Sequence, residues 1–96
     1  MKRGKVTIVY IATEVRSSMS NGRCYSDVFN ELYATEESAI RAIRRMEEEY
    51  IREHYGSDFT EEELLKRVKE AQSNDEYDHG DSSRVVWYYE EQEVDE

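Results

Sequence analysis

The sequence predicts an α+β domain: a small antiparallel three-stranded sheet with two helices on one face, in the order β-β-α-α-β. Three observations carry this expectation. Two alternating stretches, 5–15 and 23–33, flank a polar segment that closes on Asn21-Gly22. Two amphipathic stretches follow, at about 35–55 and 60–72. A last aromatic-rich alternation, 84–92, returns to strand character. No internal repeat and no Pro-rich or Gly-rich linker divides the chain, so residues 1–96 are read as a single domain.

The first stretch, "KVTIVYIATEV", is mostly apolar on both parities. Val6, Ile8, Tyr10 and Ala12 point one way, and Thr7, Val9, Ile11 and Thr13 the other. That suits a central strand between the second and the third. "RSSMSNG", 16–22, reads as a polar loop, with Asn-Gly as a tight-turn dipeptide. In "RCYSDVFNELY", Tyr25, Phe29 and Tyr33 share one parity and Cys24, Val28 and Leu32 the other.

Thr35 is placed to cap the first helix, with Glu36 and Glu37 at its positive end. Ala39, Ile40, Ile43, Met46, Tyr50 and His54 (or Ile51) form its apolar stripe. Glu37/Arg41, Arg44/Glu48 and Arg45/Glu49, each four apart, read as a solvated, self-neutralised face that also takes in Glu47. Gly56 is placed to end the helix. Thr60 to Glu63 spell a capping box, Phe59 and Leu64 a hydrophobic staple, and the second helix is expected to fray near Gln72. "SNDEYDHGDSS", 73–83, reads as an exposed loop.

Hydrophobic residues make up only 38% of the chain, against about 45–50% in ordinary domains. The core must be thin, and eleven aromatic residues must supply much of it. One cysteine excludes an internal disulfide, and the basic start runs into a strand rather than a leader. The expectation is a cytoplasmic protein without a membrane span.

Charge is uneven. Residues 1–55 balance nine bases against nine acids, whereas residues 56–96 hold four bases and fourteen acids. The whole net charge of −10 therefore lies in the second part. Direct nucleic-acid binding needs the reverse, a basic stripe, so the favoured partner is a basic protein surface.

Little suggests chemistry. Asp75, Glu76, Asp78, His79 and Asp81 could gather around a cation, but the EF-hand spacing about Gly80 fails, and zinc needs more His or Cys. Cys24 reads as a small strand hydrophobe and His54 as a partly buried ring near a helix end. No glycine loop could cradle phosphate. No cofactor, no metal and no enzymatic activity are expected.

"VYIAT", "ELYATEESAIRAI" and "YYEEQEVDE" together resemble a recurrent group of small phage and bacterial α+β proteins. In that group an initial strand, a strand-to-helix junction and an aromatic-acidic ending recur. Leu32, Tyr33, Ala34, Thr35, Glu36, Glu37 and Ala39 match the junction. The resemblance implies a phage or mobile-element setting, in which small acidic proteins act as inhibitors, as anti-CRISPR proteins do. It transfers no active site.

The functional expectation is a non-enzymatic acidic protein-binding module, a nucleic-acid mimic inhibiting a basic nucleic-acid-handling host protein. Asp75, Glu76, Tyr77, Asp78, Asp81, Glu90, Glu91 and Glu93 are the expected partner-binding residues. The plainer reading of these acids is solubility and protection of a sheet edge. The alternative is a homodimeric structural or assembly domain, with Val9, Ile11 and alternate residues of the third strand covered by a second copy.

Overall fold

The computed structural model describes residues 6–79 and 83–95. Strand β1 (Val6–Ser20) turns into β2 (Arg23–Tyr33). Helices α1 (Glu36–Tyr55) and α2 (Glu61–Asn74) follow, and strands β3 (Glu76–Asp78) and β4 (Ser83–Asp95) complete the chain. The sheet is antiparallel and four-stranded, in the order β2-β1-β4-β3. The α+β class, the two helices and the central first strand agree with the sequence reading. The three-stranded count does not, because β3 lies inside the segment read as a loop. Glu76, Tyr77 and Asp78 pair with Val86, Val85 and Arg84.

The hairpin turn forms as its dipeptide requires. Asn21 (φ 52°) and Gly22 (φ 76°) both adopt the left-handed region, giving a two-residue connection that joins Ser20 to Arg23. β1 nevertheless continues through the Ser-rich stretch read as a loop. Ser17 lies between Ser26 and Arg84, and Ser18 between Tyr25 and Ser83. Ladders on both sides hold polar residues that local propensity assigns to a turn. β4 likewise runs to Asp95, since its last residues pair with β1 from Val6 to Ile11. The acidic ending is a strand rather than a loose tail.

α1 starts at Thr35, whose hydroxyl accepts from the Ser38 backbone N–H at 3.1 Å. At α2, Thr60 accepts from the Glu63 N–H at 3.3 Å, and Glu63 Oε1 accepts from the Thr60 N–H at 2.9 Å. The capping box is complete. Gly56 ends α1 in the right-handed region, so its role is space: a side-chain carbon there would strike the Arg52 carbonyl oxygen. α2 runs past Gln72 to Asn74, where Asp75 (φ 54°) closes it and returns its N–H to the Ala71 carbonyl.

Both helices cover one sheet face. Ala12, Trp87, Val85 and Tyr77 pack with Ala42, Ile43, Tyr50, Ile51, Leu64, Val68 and Ala71. Ile51, fully buried, takes the stripe position offered to His54, which stays exposed and stacks on Tyr50. Glu47 belongs to the buried stripe too, at 0% exposure, rather than to the solvated face. Two buried carboxyls thus sit in a thin core: Glu47, and Glu14, which accepts from Trp87 Nε1 at 2.6 Å and Arg16 Nε at 2.8 Å.

The helices cover only part of the sheet. Twenty residues of α1 span about 30 Å, whereas the fifteen of β1 span about 50 Å. β2 is exposed over its first ten residues. The molecule is 60 × 35 × 18 Å, with a radius of gyration of 16.6 Å, against roughly 12.5 Å for a compact domain of this length.

Candidate functional site

The fold divides the expected partner-binding residues into two groups. Asp75, Glu76 and Tyr77 are drawn into the structure. Asp75 pairs with Arg44 at 3.0 Å and Glu76 with Arg84 at 2.6 Å. Tyr77 is 6% exposed, and its hydroxyl accepts from Arg67 at 2.7 Å. Asp78 is exposed at the end of β3, and Asp81 lies outside the described residues. Glu90, Glu91 and Glu93 sit on the far half of β4. Seven residues separate Glu93 from Val86, the partner of Glu76, or about 23 Å of strand.

The second group gains neighbours that the sequence reading did not include. Residues opposite one another on adjacent strands share a face, so Glu91 lies beside Tyr10 and Glu93 beside Ile8, on the helix side of the sheet. Tyr89, opposite Ala12, approaches Tyr10 with ring centroids 6.5 Å apart. Its hydroxyl donates to Glu36 Oε2 at 2.9 Å, tying the strand to the first turn of α1. Glu36, Tyr89, Tyr10, Glu91 and Glu93 therefore form one surface, which Asp95 extends along β4. Glu90 points to the other face. Alternate carboxylates along β4 repeat about every 6.8 Å.

This surface is electrostatically negative. Glu36, Glu91, Glu93 and Asp95 have no ion-pair partner among the described residues, and neither has Glu90 on the other face. The Tyr10 hydroxyl is held above the ordinary phenol range, first by desolvation and then by the fields of Glu91 and Glu36. The Tyr89 hydroxyl is raised chiefly by its bond to Glu36. The acid of the helix cap and the parity of Tyr10 were readable in the sequence. The register that brings them together was not.

A second cluster joins the ends of α1 and β3. His79 bonds the Tyr50 hydroxyl through Nε2 and the Tyr55 hydroxyl through Nδ1, both at 2.7 Å. His54 lies 4.5 Å from His79, ring to ring. Desolvation is the main cause that raises both tyrosines, Tyr55 to about 12. Neutral, hydrogen-bonded hydroxyls of this kind lock the chain after β3 onto α1; a nucleophile or base needs its pKa moved the other way. Cys24 is free and exposed on β2 rather than buried. No three His, Cys, Asp or Glu side chains among the described residues converge as metal ligands do. No described helix is long and apolar enough to cross a membrane. Comparison with protein-family models, curated proteins and solved structures finds no match.

Proposed function

We propose that this protein is a non-enzymatic, acidic protein-binding module that covers a basic, phosphate-holding surface of a nucleic-acid-handling partner, the role of a phage or mobile-element inhibitor of the anti-CRISPR type. The observation that carries this reading is the row of unneutralised carboxylates on the far half of β4, joined by Glu36 and flanked by Tyr10 and Tyr89. Several acids elsewhere are answered: Arg52 bridges Glu48 and Glu61, Arg44 holds Asp75, and Arg84 holds Glu76. Repeated carboxylates on a rigid strand present negative charge without the entropy loss of ordering a loose tail. Two tyrosines at the same place supply contact area. Asp75, Glu76 and Tyr77 stabilise the β3 edge in this reading and do not bind the partner.

Capture on the immobilised full chain tests it. Basic nucleic-acid-binding proteins should be retained from a bacterial lysate at low salt and released as salt screens the charges. Glu91→Lys with Glu93→Lys should abolish retention, whereas Glu62→Lys, on the exposed side of α2, should leave it intact. Equal loss from both changes would contradict the proposal.

A further inference from the structure

The sheet is inverted relative to the usual arrangement of a half-covered antiparallel sheet, in which the uncovered face is the polar one. Here the charged residues of β1 and β2 all lie on the helix side: Glu14, Arg16, Arg23, Asp27 and Glu31. The opposite face carries the alternate residues of β1 from Thr7 to Met19 and of β2 from Cys24 to Leu32. These twelve side chains include no charge, in a chain that is 38% charged. Val28 is 56% exposed and Leu32 66%. No helix lies over this face among the described residues, since the core residues of both helices pack on the Ala12 side.

We propose that this neutral face is a homodimer interface, with a second copy of the chain packed sheet to sheet against it. Three observations select a copy as the occupant. The accessible surface is 7050 Å² for 11.4 kDa, roughly 1,300 Å² above that of a compact monomer of this mass. Removing that excess from each of two chains buries on the order of 2,600 Å², within the range of homodimer interfaces. Electrostatics agrees. Two chains of charge −10 repel unless their contact avoids the acids, and a two-fold contact sets each patch against itself. The charge-free β1 and β2 part of the face meets that condition, with Arg84 and Glu90 of β4 and Glu76 and Asp78 of β3 left at its border. A basic partner would be drawn instead to the acidic helix side. Finally, the 18 Å thickness is that of one sheet and one helical layer. Face-to-face packing, with sheets about 10 Å apart, would give a helix-sheet-sheet-helix sandwich around a second core. Val9, Ile11, Val15 and Val86, each half-buried in the single chain, would complete their burial there. The two acidic surfaces would then point outward on opposite sides, making the assembly bivalent.

Sedimentation equilibrium of the full chain at micromolar concentration tests this, with circular dichroism as the fold control. The mass should be twice 11.4 kDa. Val28→Lys with Leu32→Lys should return it to the monomer mass with an unchanged spectrum, because both side chains are exposed in the single chain. Tyr25→Lys, on the same strand but the opposite face, should leave the dimer intact. A monomeric native protein would overturn the proposal. So would a dimer that survives the Val28 and Leu32 changes, or one lost equally on the Tyr25 change, which would indicate pairing along the β2 edge.

Discussion

Trp87 Nε1 donates to Glu14 Oε1 at 2.6 Å, inside the core and between residues paired across β1 and β4. Both are nearly inaccessible, at 1% and 5% exposure. The second oxygen of Glu14 accepts from Arg16, whose guanidinium lies over the Tyr50 and Phe29 rings. A buried carboxylate is tolerated only with such partners. Because strand register decides which residue faces Trp87, the pair also discriminates against a slipped β1–β4 ladder.

The first prediction follows from that pair. Trp87→Phe keeps an aromatic ring but leaves Glu14 Oε1 without its donor. The expected loss is about 1–3 kcal/mol in urea unfolding. A change indistinguishable from zero would mean that water replaces the indole there.

Glu47 sets a pH dependence. Burial, and then Asp75, push its pKa up to about 8, and its Oε2 has no hydrogen-bond partner. The folded state holds a proton that an unfolded glutamate, of pKa 4.5, releases. The resulting stabilisation is fully present below that unfolded value and is lost as pH rises through about 8. Glu47→Gln keeps a neutral side chain of the same shape at every pH. It should match the native protein in mild acid and exceed it by on the order of 1–3 kcal/mol above pH ~8. Melting temperatures across that interval decide the matter: parallel profiles would show that Glu47 does not titrate there.

The capping box of α2 is a local feature with a local test. Thr60→Ala should cost about 0.5–2 kcal/mol. Amide hydrogen exchange should accelerate through the first turns of α2, at residues 61–68, while β1 and β4 stay protected. Unchanged exchange in those turns would contradict the role assigned to Thr60.

Features encoded over a few neighbouring residues were legible in the sequence. The Asn21-Gly22 turn, the Thr35 and Thr60 caps and the central place of β1 needed only local propensity and alternation. Long-range pairing was not legible. Ser17 and Ser18 look like loop residues until ladders on both sides hold them, and Glu76–Asp78 became a strand only because β4 offered an edge. Glu47 resembled its solvated neighbours because charge type does not reveal helical facing at the margin of a stripe. Arg44 turned from the expected Glu48 to Glu47 and Asp75, and Arg52 took Glu48. The candidate site divided for the same reason. Nearness in sequence placed Asp75 to Asp78 with the acids, but pairing with Arg44 and Arg84 occupied Asp75 and Glu76, while register brought in Glu36 and Tyr10.

Charge reversal at the strand end should change association more than stability. Glu91→Lys and Glu93→Lys alter exposed side chains beyond the helical layer, so the melting temperature should stay within a few degrees. Encounter with a basic partner should slow by an order of magnitude or more at low ionic strength. The difference should shrink as salt is added. Slowing that persists undiminished at high salt would point to damaged packing around Tyr10 rather than to lost steering.

Competition with nucleic acid decides whether the β4 carboxylates occupy a phosphate site on the partner. A captured basic partner is held on the immobilised protein, and double-stranded DNA or single-stranded RNA is titrated in at constant ionic strength. If the carboxylates of β4 and Glu36 occupy the partner's phosphate site, nucleic acid should displace it completely, with a midpoint that rises in proportion to the density of immobilised protein. A ternary complex, with the partner holding nucleic acid and this protein together, would contradict the account.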